Sequence, residues 1–575
     1  MESYHEVLPH PLAPLRVPTT REEAHFLAAV GPAALSVLPY QPQHDVKTQQ
    51  ACMLALALLR EPAAIQLLDE YQQDQRQTVQ REYMKIKKGL KRSLRPKWLC
   101  GEVDVKWRYD KNSLTVGDLP SLKGIEALVH ASYYKGQLHF LSSSPPCQKG
   151  DLTLLTHLPG LREVILDGWP YADLSALSCL PQLSSLSIQG NKLSDLAGLE
   201  VFPQLKSFQI WSRVLSDLSS LPAHASLEHF HISCRQPVDL SRLTILPQLR
   251  ELTIEGTFAA TELPALPDLE RLTLTRIRER NALPPLPAFP HLSALRLSNW
   301  EELRDLSTLP VLPELRELEC VSCIQLGDLT PLAEMPGLAS LSLRGCSQIS
   351  DLAPLANLRE LQALVLPWQG KVRDIAALAS LGALQSLSFS ANHTKMDLSP
   401  LAHLHEVQRL TIYDLDKVAD VSPLSGLTSL RELILSECRA VEDLSPLAGL
   451  SALHKLALWS ARAIKDLSPL AGLAKLSILN LTDCYALTDF SPLAQLTELT
   501  WLKLTSCTQL DEKNLAMLAS LEHLAHLDLW NCTQLRTLDA LLLFPALESV
   551  VVEPARSKDP TIKILQERGI VKYSH

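Results

Sequence analysis

Cysteine is the first residue type to weigh for chemistry, because the 575-residue chain carries twelve of them. Cys320 and Cys323 form a C-x-x-C pair, half of a tetrahedral metal site, but no second pair stands at the spacing that would complete it. Six cysteines (Cys323, Cys346, Cys438, Cys484, Cys507 and Cys532) recur at one position of a repeated pattern, three residues after the last inward residue of a short strand. A position fixed by a repeat reads as a buried, reduced structural thiol, and Asn191 and Asn299 are read at the same place. His5 and His10 match no metalloprotease spacing, and His229 and His231 alternate along one segment without a third ligand. The chain has no G-x-x-x-x-G-K-[ST] loop, no G-x-G-x-x-G after a strand, no H-E-x-x-H and no G-x-S-x-G. The aspartate of the recurring Asp-Leu-Ser-Pro run suits a turn or a helix cap, with proline fixing φ, and is not read as a catalytic carboxylate. No catalytic residue, metal or cofactor is therefore expected.

The large aromatics carry a second kind of chemistry, that of recognition. Seven of the nine tryptophans (Trp169, Trp211, Trp300, Trp368, Trp459, Trp501 and Trp530) lie at outward strand positions or within three residues after the strand. Tyr413 occupies the place of Trp211, Trp459 and Trp530. Aromatics at exposed positions are the expected anchors of a protein interface. The charges expected beside them are mixed: Arg296, Arg344, Arg409 and Lys503 are counted into the binding face, with Glu251, Glu255, Glu317 and Glu319 nearby. Alternating signs suit a protein partner with complementary charge.

The element that must position these residues is a repeat. Residues 430–476 read LRELILSECRAVEDLSPLAGLSA, then LHKLALWSARAIKDLSPLAGLAK, then begin again at LSILNL. Each unit is 23 residues long, opens with L-x-x-L-x-L and carries Asp-Leu-Ser-Pro-Leu in its second half. A fixed period of about 20–29 residues with this leucine spacing marks a leucine-rich repeat. The stretch resembles the internalin-like pattern of bacterial leucine-rich repeat proteins, over more than two thirds of the chain. The expected fold is an α/β solenoid with a concave parallel β-sheet and short helical or 3-10 convex turns, preceded by a small α-helical N-terminal domain. The first strand leucine recurs every 22 residues from Leu161 to Leu249, after 20 at Leu269, then in ten steps of 23 to Leu499, and again at Leu524 and Leu547. With Ile125 this predicts nineteen strands. One repeat alone leaves its apolar face open, so its core closes only when neighbours stack.

The ends differ from the repeat. Residues 1–100 read as the helical N-terminal domain, with a helix over Lys47 to Leu59 and a longer one from Pro62 to about Leu90 that ends in the basic MKIKKGLKRSLRPK. Residues 101–160 read as a cap and a first irregular repeat, with a hairpin near Asp110 and an insertion over 133–150; residues 161–553 are the solenoid and 554–575 a C-terminal capping helix.

The composition is 46% apolar with a net charge of −9, which argues against a dedicated nucleic-acid binder. No 18-residue apolar run and no signal-like N-terminus is seen, so a cytoplasmic location without membrane insertion is expected. The expected function is non-catalytic: a scaffold or sensor holding a partner protein on the concave face, with the N-terminal helices dimerising or docking a second partner. The repeat motif is also similar to the sensor arms of bacterial NACHT-type immune proteins, which implies a sensor or adaptor of a defence system without the ATPase. A secreted effector acting on host proteins, and an enzyme with an unrecognised site in residues 1–150, are the alternatives.

Overall fold

The computed structural model describes residues 44–59, scattered positions between 68 and 84, 131–134, 137–140 and, with short gaps, 162–573. The chain divides into two compact units at Leu249–Arg250, inside the repeat register. The hairpin expected near Asp110, the strand at Ile125, the basic run after residue 84 and His5 and His10 lie outside the described residues.

In the first unit a helix covers Val46–Leu59, one residue longer than expected, and Asp45 caps it by accepting from the Thr48 N–H at 2.7 Å. Its residues Ala51, Cys52, Met53, Ala55 and Leu56 are buried. Strands Ala131–Tyr134 and Gln137–Phe140 form an antiparallel pair, and the second runs parallel to Glu163–Asp167. From there Ser185–Gly190, Ser207–Ser212 and His229–Cys234 follow in parallel register, each 22 residues on: Ser185 faces Ser207 and Ser207 faces His229.

In the second unit every strand from Glu251–Glu255 to Val571–Tyr573 lies parallel beside the next. The pairing reproduces the leucine spacing: Glu251 faces Arg271 after 20 residues, Glu432 faces Lys455 after 23, and Trp501 faces His526 after 25. The two extra residues of that last step make room for a true α-helix, Glu512–Met517, capped by Asp511. The C-terminal helix, Pro560–Glu567, is capped by Asp559 and does not end the sheet. A further strand, Val571–Tyr573, pairs with Ser549–Val552. Among the described residues four strands from Glu163–Asp167 onward lie in the first unit and fifteen in the second, the last of them standing where the sequence predicts only a cap.

The side-chain period explains the core. Leu430, Leu433 and Leu435 are fully buried, whereas Glu432 and Ile434 between them are half-buried on the opposite face. Val441, Leu444, Leu447 and Leu450 close the same coil from the returning arm. That arm is a short 3-10 turn in most repeats, such as Ser445–Leu447, with proline in its first turn. The aspartate before it is a turn residue: Asp443 Oδ1 accepts the Ser445 N–H at 2.8 Å and Oδ2 accepts its hydroxyl at 2.8 Å. The same bonds hold the carboxyls of Asp397, Asp443 and Asp489 below their ordinary value, the backbone N–H contributing most. For Asp217, Asp328 and Asp420 the hydroxyl leads.

The repeat cysteines face inward, as expected. The thiols of Cys346, Cys507 and Cys532 each donate, at 3.1 Å, to the carbonyl of the last inward residue of the preceding repeat's strand segment: Cys320, Leu481 and Leu504. Burial pushes the thiol of Cys532 up to about 12, and that of Cys438 upward as well. We therefore expect both to react slowly with a thiol reagent in the native protein and quickly after denaturation. Peptide mapping of the labelled sites checks this, and rapid native labelling of either contradicts the inward placement.

Two asparagines depart from expectation. Asn191 and Asn299 are exposed rather than inward. Asn299 stands one residue before the cysteine position, at φ 51°. That left-handed residue recurs two places after the last inward residue of the repeat's strand segment in Arg276, Ser322, Asp414, Glu437, Ser460, Asp483, Ser506 and Asn531, and it turns the chain off the strand edge.

One histidine takes a leucine's place in the core. His224 is buried, its Nε2 donating to the Phe202 carbonyl at 2.9 Å, and burial holds its pKa below 6.5. The neutral form is the folded one, so this contribution to stability is complete above pH 6.5. It falls as pH drops through the lowered folded value. His224→Leu is expected to flatten the pH dependence of the melting temperature in that window, as thermal scans from neutral to mildly acid pH would show.

Candidate functional site

The sequence-predicted anchors separate into two groups. Trp169 and Trp300 are buried, at 1% and 0% exposure. Both occupy the position three residues after the last inward strand residue, which the cysteines fill elsewhere, and the Trp169 indole N–H donates to the Asp173 carbonyl at 2.9 Å. Neither is an exposed anchor: in these two repeats the exit turn points the position inward, whereas Asn191 and Gln369 at the same count stand exposed. Gly190 makes room for Trp169, since a Cβ there would stand 3.0 Å from that of the tryptophan.

The other aromatics face outward. In the first unit, Trp211 is half-buried against His231 on the next strand, ring centroids 4.7 Å apart, and His229 lies on the same face. In the second unit, Trp368 and Trp459 are 40% and 38% exposed, and Tyr413, Trp501 and Trp530 are half-buried. Trp459 ends its strand and Trp530 stands at the equivalent place just past the shorter strand His526–Asp528, while Trp501 begins its strand and faces Ile478 and His526. Among the described residues no ring contact joins these three, so they are separate points on the face rather than one cluster.

Trp368 belongs to a true cluster. Its ring lies 5.4 Å from that of Tyr413 at 51°, and the Arg344 guanidinium stands 4.8 Å from its centroid. A cation over an exposed indole is worth about 0.5–1 kcal/mol. The cluster arises where two consecutive repeats abandon the usual exit turn. Pro367 follows the last strand leucine, and Trp368 takes the place that is left-handed in other repeats, without a positive φ. In the next repeat Asn392 and His393 are both left-handed, at φ 51° and 54°. Two consecutive strained residues in one loop need support, and Asn392 provides it. Its Oδ1 accepts the Gly370 N–H at 3.1 Å and its Nδ2 donates to the Val372 carbonyl at 3.1 Å.

These turns open a cavity of about 390 Å³ lined by Trp368, Gln369, Gly370, Arg373, Asn392, His393 and Asp414. His393 Nδ1 lies 2.8 Å from Asp416 and its Nε2 3.7 Å from Asp414. Ser390 donates to Asp414. The carboxylates on this rim are thus already engaged. The wall is aromatic on one side and polar on the other, a surface that binds by shape and hydrogen bonds. Among the described residues no group of three or more His, Cys, Asp or Glu is placed to hold a metal ion.

The expected cations divide too. Arg296 pairs with Glu319 at 2.7 Å and Lys503 with Asp528 at 3.4 Å. Arg344 and Arg409 are exposed and, among the described residues, in no ion pair. Sequence reasoning missed Arg373, Asn392, His393, Asp414 and Asp416. The available signal was the loss of the cysteine-or-leucine position in LPWQG and SANHT.

No family model matches the chain, and no curated protein does. Solved structures do. An internalin (inlF) of Listeria monocytogenes is 22% identical, over 72% of this chain and 86% of that one, with a TM-score of 0.34. A leucine-rich repeat protein of Leptospira interrogans is 18% identical, over 76% and 93%, with a TM-score of 0.36. The functional domain of InlJ from Listeria monocytogenes, which includes a cysteine ladder, is 17% identical, over 62% and 72%, with a TM-score of 0.37.

Proposed function

We propose that this leucine-rich repeat solenoid is a non-catalytic recognition scaffold that holds a partner protein against the outward face of its strands in the second unit. One observation carries the reading. Among the described residues the most exposed large aromatics are Trp368, Trp459 and Tyr485, at 40%, 38% and 36%, and all three stand on that face or its rim. Aromatics left partly bare on a rigid frame act as interface anchors, because their burial releases much apolar area at little entropic cost. The finer form of the proposal is a sensor or adaptor, in keeping with the motif's likeness to sensor arms.

Site-specific photocrosslinking in the native host tests it. A crosslinker at Ser388 on the strand face should trap a discrete protein. The same group at Gly449 on the turn side should not. Trapping from Gly449 alone would place the interface elsewhere.

A further inference from the structure

Six cations stand along the outward strand face between Glu251 and Asp528: Arg271, Arg296, Arg409, Lys455 and Lys503 within strands, and Arg344 two residues past the strand Ser340–Ser342. Four of them are neutralised within the chain, Arg271 by Glu251, Arg296 by Glu319, Lys455 by Glu432 and Lys503 by Asp528. The remaining two, Arg344 and Arg409, have no carboxylate partner among the described residues, and they flank one place. Between them the face carries only small uncharged side chains: Ser340, Ala363 and Ser386 stand in one row, and Ser342, Val365 and Ser388 in the next. Trp368 and Tyr413 border this lane on the side of the cavity. A third arginine, Arg373, enters the cavity wall and, among the described residues, donates only to the backbone carbonyls of Val372 and Gly370.

We propose that this lane takes an acidic, extended segment of a partner protein. Carboxylates of the segment meet Arg344 and Arg409, and an apolar side chain packs on Trp368 and Tyr413. This rests on the reading of the strand face as a protein-binding surface, and it names the partner's chemistry. The two arginines stand three strands and four residues apart, roughly 20 Å by strand spacing and rise, which about six extended residues span. The lane has no protruding side chain to obstruct a backbone crossing it. A cation left unpaired on a face whose other cations are paired draws a complementary charge from outside. The surroundings disfavour a uniformly charged polyanion, since Glu317 and Glu319 border the lane on one side and Asp414 and Asp416 its rim on the other. A segment with a few spaced carboxylates avoids those groups.

The test uses the full chain and a random twelve-residue peptide display library. Peptides are selected on the wild-type protein and then measured individually on Arg344→Gln/Arg409→Gln and on Trp368→Ala. All substituted side chains are exposed or half-exposed, and unchanged thermal melts confirm folding. The expected result is enrichment of Asp or Glu together with an aromatic or aliphatic residue. Affinity should fall roughly tenfold or more in the double arginine variant, with binding that weakens as salt rises. Selection of neutral or basic peptides that lose affinity in Trp368→Ala but not in the arginine variant overturns the acidic partner and leaves the strand face standing. Peptides that bind all variants equally overturn both, as does recovery of no binder. A single-stranded oligonucleotide that binds in an arginine-dependent way, while acidic peptides do not, also overturns the proposal.

Discussion

Leu433→Asp is expected to cost about 3–5 kcal/mol and to loosen a block of neighbouring repeats rather than a single turn. Leu433 is fully buried in Glu432–Ser436, its backbone registered with Leu410 on one side and Leu456 on the other. A carboxylate there has no cation within the leucine stack, so it either stays charged in an apolar core or forces the coil open. Because each repeat is closed only by its neighbours, opening one exposes the faces of two more. Hydrogen exchange should accelerate over the strands Arg409–Tyr413, Glu432–Ser436 and Lys455–Trp459 together. Asp443→Leu, which removes only the surface turn bonds to Ser445, should shift the melting temperature far less. Equal effects of the two changes would refute the stacking register.

Trp368→Ala is expected to weaken partner binding by about 2 kcal/mol or more, roughly thirtyfold, while leaving the melting temperature almost unchanged. Its ring is 40% exposed and held by Tyr413 and Arg344 rather than by the leucine core. Trp459→Ala should behave similarly if the partner extends three or four strands further. Trp300→Ala should do the reverse: a fully buried indole leaves a cavity, costing about 3–5 kcal/mol of stability, with affinity per folded molecule unaltered. Titration of the purified partner, alongside thermal melts of all three variants, separates an anchor from a core residue.

The repeat was legible in the sequence because its causes are local and periodic. Leucine spacing sets the strand register, the Asp-Leu-Ser-Pro run sets the turn, and the shortened step to Leu269 and the lengthened one to Leu524 appear as pairings of Glu251 with Arg271 and Trp501 with His526. The inward thiols were legible for the same reason. The aromatic positions were only half legible. Residue type and nearness to the strand mark Trp169 and Trp300 as interface residues, but the backbone points their place inward, and a tryptophan filling a cysteine's position is indistinguishable in type from one on the face.

The cavity was not legible, because it depends on how Pro367 and the left-handed pair Asn392–His393 redirect two adjacent turns toward each other. The division of the arginines was equally hidden. Whether Arg344 or Arg296 finds a carboxylate depends on which rotamer reaches across to the next strand. The last strand, Val571–Tyr573, escaped because three residues after a helix are too few for a period-2 signal.

Hydrogen exchange on the full chain, with and without its captured partner, tests the central claim most directly. If the partner lies on the outward strand face, amides in the rim turns at 367–370, 390–394 and 413–417 should exchange more slowly in the complex, and those of the turn side at 444–450 should not change. Protection confined to the turn side, with the three rim turns unaffected, would contradict it.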